Sequence, residues 1–156
     1  MDNSNNYNEQ TSNMLLSIQD IFERYNKHIM SKEFMDQYET QNMFREITAQ
    51  ICLLNTRLGV YSSQEMYSSW KKKNIHNEEK QSLQAIKKEN GLTEAMITTL
   101  AESAPPYKEA YEDHMFQVDF VTRLKLVVQS AKILWESLKS EMIQSNIELK
   151  QTQLDT

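Results

Sequence analysis

Glycine and proline are almost absent. Two of each in 156 residues exclude an architecture of many short strands, which needs a turn residue every few positions. The same scarcity leaves no Gly-rich phosphate cradle and little material for a tight active-site loop. Cysteine occurs once, at Cys52, so no intramolecular disulfide can form, and a reducing cytoplasmic setting is the expectation. Within Ile51-Cys52-Leu53-Leu54 that thiol reads as buried and inert. No apolar run approaches the ~20 residues of a membrane span, and the polar, Asn-rich stretch after Met1 does not read as a secretory leader. Basic charge is short overall. A net charge of −5 argues against a generally basic nucleic-acid binder and leaves room only for a local patch.

The parts of a catalytic or metal site are missing as well. His28, His76 and His114 are far apart and lack metal-ligand spacing. Adjacent acids such as Glu112-Asp113 point to different faces of a helix and read as solvation. There is no nucleophile elbow and no Cys–His pairing. The expectation is a non-enzymatic protein with no cofactor and no metal. The nine methionines read as adaptable apolar packing.

What is present is helical periodicity. Phe120, Leu124, Val127, Ala131, Leu134 and Leu138 alternate steps of four and three, a heptad seam. Val121, Val128, Trp135 and Met142 form a second stripe beside it. Two stripes make a face wider than one partner helix fills, so Phe120, Val121, Leu124, Val127, Val128, Leu134, Trp135 and Leu138 are expected at a homo-oligomer interface. At about 1.5 Å per residue this helix would be ~60 Å long, which implies an elongated hairpin or an assembly. A second seam runs through Phe44, Ile47, Ile51, Leu54, Leu58 and Tyr61, interrupted by Gly59, which marks a bend or a close helix approach. Met14, Ile18, Phe22, Tyr25 and Ile29 give a shorter first helix capped by Thr11 or Ser12, and Ser31 is a candidate cap for the next. Before the C-terminal seam, Gly91 suits a positive-φ stop, and Thr93 suits an N-cap with Leu92 and Ile97 as its staple. Glu94 favours the helix N-terminus, and Pro106 suits the first turn of the long helix.

The fold class that follows is all-α: an elongated antiparallel helical hairpin of long heptad-patterned helices with a short connecting helix. Residues 1–11 read as a flexible polar tail, 12–150 as a single helical domain, and 151–156 as a second tail.

Between the seams, Ser68 to Lys88 holds six lysines against Glu78 and Glu79, a local balance of +4 in a chain of net −5. Trp70, Lys71, Lys72, Lys73, His76, Lys80, Lys87 and Lys88 form the candidate nucleic-acid site, with Tyr67 just before it. Lysines neutralise phosphates and aromatic faces stack bases, the combination that single-strand binding uses. The same lysines also suit a solvated helix end that complements the dipole, with Trp70 in the core. Both readings stand on the residues alone.

The segment Gly91-Leu-Thr-Glu-Ala-Met-Ile, the Ala-Glu-Ser that follows, Tyr107 and the long seam to Ser140 together resemble the C-terminal half of UvsY-type recombination mediators of tailed phages. The resemblance spans roughly Gln64 to Gln144, with Ala104-Pro105-Pro106-Tyr107 where the pattern carries a single proline. It implies a recombination accessory protein in the host-cell cytoplasm. Such a protein binds single-stranded DNA and assists loading of a RecA-like recombinase onto strands covered by single-strand-binding protein. It also implies a ring-forming homo-oligomer, and DNA-contacting basic residues just before the corner, where Lys87 and Lys88 stand. The alternative is an α-helical oligomeric adaptor, scaffold or host-takeover protein that binds only proteins, without a membrane role.

Overall fold

The computed structural model describes residues 3–31 and 36–154, with side chains described over 11–31, 36–87 and 89–147. Among these residues every regular element is an α-helix, so the class is all-α. The order is α1 (Asn3–Ser31), α2 (Gln37–Ala85), α3 (Lys87–Asn90), α4 (Glu94–Ser103) and α5 (Pro105–Leu154).

The helix ends follow local chemistry. Asp36 starts α2: its Oδ1 accepts from Tyr38 N at 3.3 Å and its carbonyl from Thr40 N at 3.0 Å. Aspartate here takes the capping role assigned above to Ser31, whose hydroxyl instead donates to His28 O. Gly91 ends α3 at φ 61°, the left-handed region that costs glycine little. Thr93 caps α4, its hydroxyl accepting from Met96 N at 3.3 Å. Ala104 is extended, and α5 opens on Pro105, which leaves Pro106 in the first turn as expected. Both prolines occupy the first turn, where a missing N–H leaves no helical bond unmade.

Several boundaries differ from the sequence reading. The segment read as a tail through residue 11 is helical from Asn3, and Thr11 is already 2% exposed. A polar composition without glycine or proline does not stop a helix once its C-terminal turns are packed. Helix α5 likewise runs on to Leu154, through most of the second expected tail. The basic stretch forms no separate connection: α2 continues through it to Ala85. Nor does Gly59 mark a close approach, because a Cβ there would meet open space.

The chain divides into two compact units: Met1–Arg57 with Leu124–Thr156, and Leu58–Arg123. In the first, Gln37 bonds Asn146 at 3.2 Å and Thr48 meets Trp135 at 2.9 Å, so these segments of α2 and α5 run antiparallel. Helix α1 lies alongside, its Tyr25 hydroxyl donating to Glu141 Oε1 at 2.9 Å and its Arg24 paired with Glu46. Ile18, Ile21, Met43, Ile47, Leu54, Leu124, Val128, Ala131, Leu134 and Leu138 are buried there. Each large aliphatic so placed contributes about 1.5–3 kcal/mol over an exposed position.

This burial corrects the oligomer-interface assignment. Val121, Leu124, Val128, Leu134 and Leu138 are each at most 4% exposed within the single chain, and Phe120, Val127 and Trp135 are half-buried. In the first unit the wide face packs against two helices of its own chain, α1 and α2, which is why it needs two stripes. Cys52 is also corrected. It is exposed, as is Leu53 beside it, because both fall off the positions Ile47, Ile51 and Leu54 that face the core.

In the second unit, α2 and α5 are again antiparallel. Tyr61 meets Phe120 edge-on at 4.6 Å, Ser68 Oγ lies 3.1 Å from His114 Nδ1, and His76 stands 5.1 Å from the Tyr107 ring. Helix α4 buries Ile97 and Ala101 completely, and Ala110 of α5 is 3% exposed.

Candidate nucleic-acid interface

The lysine-rich stretch is helical, so its side chains sort by face rather than act as one patch. Tyr67 and Trp70, one helical turn apart, stack with centroids at 5.8 Å and planes at 29°. They are 64% and 57% exposed. Trp70 is therefore no core residue, and the pair forms an aromatic surface in solvent. Lys71 and Lys73 are exposed beside it. Asn77 and Gln81, spaced seven and four residues on from Trp70 and Asn77, carry the exposed side of α2 forward as uncharged amides.

The other members are drawn elsewhere. Lys72 is half-buried, its Nζ 5.4 Å above the Tyr111 ring, a cation–π contact. His76 is half-buried too, against Tyr107, with Nε2 3.8 Å from Glu102 Oε1. Lys87 is ion-paired with Glu94 at the start of α4. That ammonium, through its hydrogen bond and its charge, holds the Glu94 carboxyl below the usual carboxylate range, with smaller help from Gln84 and Lys80. Lys80 is half-buried near the same group. The Lys88 side chain lies outside the described ones. Of the eight candidates, the structure brings Trp70, Lys71 and Lys73 together on the outside of α2, and it turns Lys72, His76 and Lys87 toward partners of their own unit.

Tyr67 belongs to the site as fully as Trp70. Its signal was available in the sequence, because a residue three before Trp70 shares its helix face. Acids do not intrude between the rings and Lys73; Glu78 is exposed farther along, and Glu79 is half-buried. The arrangement offers two flat apolar faces, two exposed cations and neutral amides. Such groups can stack planar rings and neutralise phosphates.

Among the described residues no group of His, Cys, Asp and Glu side chains could hold a metal ion, and no helix is long and apolar enough to cross a membrane. No family model, no curated protein and no solved structure matches the chain.

Proposed function

We propose that the protein is non-enzymatic and binds single-stranded DNA along the outer face of α2 in the second unit. The observation that carries this reading is the stacked, solvent-facing Tyr67–Trp70 pair flanked by Lys71 and Lys73 in a chain of net charge −5. The two rings stack on each other and still leave open faces in water, and a nucleobase laid on either ring gains about 1–3 kcal/mol. The lysines add affinity that is independent of sequence. With so few of them, binding would be weak for one chain and would fall only shallowly with salt. The wider role, loading a RecA-like recombinase onto strands covered by single-strand-binding protein, rests on the resemblance of Gly91–Ser140 to UvsY-type mediators.

The test is fluorescence anisotropy of a labelled oligonucleotide across a salt series, with thermal stability measured on the same preparation. Trp70→Ala should weaken binding by ~1–3 kcal/mol, about the worth of one stacked base, while the melting temperature stays unchanged. Lys71→Ala with Lys73→Ala should flatten the log–log salt dependence by about 0.7 for each phosphate released. Absence of binding at low salt would rule the DNA reading out in favour of a protein-only adaptor.

A further inference from the structure

Burial of the wide α5 stripe leaves a different face of that helix in solvent, and its two stretches are opposite in character. In the first unit, Leu126 and Ile133 are 58% and 63% exposed, with Lys125 and Lys132 exposed beside them. Leu126 also walls a groove of about 470 Å³ between α1 and α5, together with Leu15, Phe22, Val127 and Ser130. In the second unit, Phe116 and Met115 are 66% and 47% exposed, and Glu112, Asp113 and Asp119 are exposed around them, Asp119 paired with Arg123 one turn on at 2.8 Å. One stretch is apolar and basic with a groove; the other is apolar and acidic with a projecting aromatic ring.

We infer that these two faces dock on each other between two copies of the chain, the acidic Phe116 face of one seated on the basic α1/α5 groove of the other. The spacing supports this occupant. Glu112 and Asp119 are one heptad apart, and so are Lys125 and Lys132, so an antiparallel crossing sets both pairs level at once: Glu112 with Lys132, and Asp119, which would exchange or share its Arg123 partner, with Lys125. In that register Phe116 stands level with the stretch between Leu126 and Ser130, the α5 wall of the groove. The ring gains a concave apolar surface, and Leu126 and Ile133 lose their contact with water. An anionic surface such as a lipid headgroup layer fits less well, since Glu136 is exposed within the basic stretch and pairs with Lys139 at 3.8 Å. Like-with-like pairing of the basic stretch would set lysine rows against each other. This inference does not depend on DNA binding.

Sedimentation equilibrium of the full chain over the micromolar range tests it, with circular dichroism to verify folding. The wild type should associate, and less tightly as salt rises. Phe116→Ser and Leu126→Gln alter exposed positions and should each weaken association by about tenfold or more. Lys125→Glu/Lys132→Glu and Glu112→Lys/Asp119→Lys should each self-associate poorly, and an equimolar mixture of the two should associate again, because the reversed charges now match. The inference is overturned by a wild type that stays monomeric, by Phe116→Ser and Leu126→Gln variants that are folded and associate as the wild type does, or by a mixture no tighter than either charge variant alone.

Discussion

The indole Nε1 of Trp135 donates to Thr48 Oγ1 at 2.9 Å, tying α5 to α2 in the first unit. The same hydroxyl donates to Phe44 O at 2.6 Å, and the Phe44 ring stacks on the indole at 5.3 Å. One threonine therefore satisfies the N–H of a half-buried indole. Thr48→Val keeps the shape and removes the acceptor. It should cost about 1–2 kcal/mol, toward the lower range for leaving a sequestered donor unpaired, read as a lower urea midpoint with an unchanged slope.

The chain's two glycines should respond in opposite senses to alanine. Gly59 lies inside α2 with open space where a Cβ would stand, so Gly59→Ala should stabilise by about 0.5–1 kcal/mol through helix propensity. Gly91 also has space around it but holds φ at 61°, so Gly91→Ala should destabilise by about 1 kcal/mol from backbone conformation alone. Calorimetric melting of both variants checks the pair.

Alkaline pH should loosen the first unit through Tyr25. Burial pushes the Tyr25 phenol above the ordinary tyrosine range, and its hydrogen bond to Glu141 pushes the same way. A group whose folded-state pKa is raised contributes stability that is fully present below its unfolded pKa and is lost as pH rises through the folded one. Stability should thus fall as pH climbs past the ordinary tyrosine range. In Tyr25→Phe that part of the decline should disappear, seen as a shallower dependence of the urea midpoint on pH.

Lys87 and the outward lysines should behave differently toward an oligonucleotide. Lys87 is already paired with Glu94, so Lys87→Ala should leave the salt dependence of binding near the wild-type value, while the double change at Lys71 and Lys73 lowers it. Glu94→Gln frees the Lys87 ammonium and should raise affinity modestly at low salt. A Lys87→Ala variant that loses as much slope as the double variant would show that the ion pair opens on binding.

The periodic part of this fold was readable from the residues because burial in a helix recurs every three or four positions. Ile47, Leu54 and Tyr61 on α2, and Leu124, Ala131, Leu134 and Leu138 on α5, are buried where the seams place them. The caps at Gly91 and Thr93 were readable because a positive φ and an N-cap each demand particular side chains. What a seam cannot say is whose helix fills it. The Val121, Val128 and Trp135 stripe looked like surplus width for another chain, and its first-unit members are taken up by α1 and α2, whose nearness is a tertiary fact. Charge count had the same blind spot. It grouped eight residues by position in the chain, yet Lys72 and His76 lie on the side of α2 that meets Tyr111 and Tyr107.

The only two tryptophans are divided between the units, Trp70 in one and Trp135 in the other. Each unit thus carries its own optical reporter. Trp70, more than half in solvent, should emit toward the red and be quenched readily by iodide. Trp135, half-buried and hydrogen-bonded to Thr48, should emit toward the blue and resist quenching. With Trp70→Phe and Trp135→Phe prepared singly, a denaturation curve followed by emission records the fate of one unit at a time. Midpoints that coincide mean the units melt as one; midpoints that separate give each its own stability.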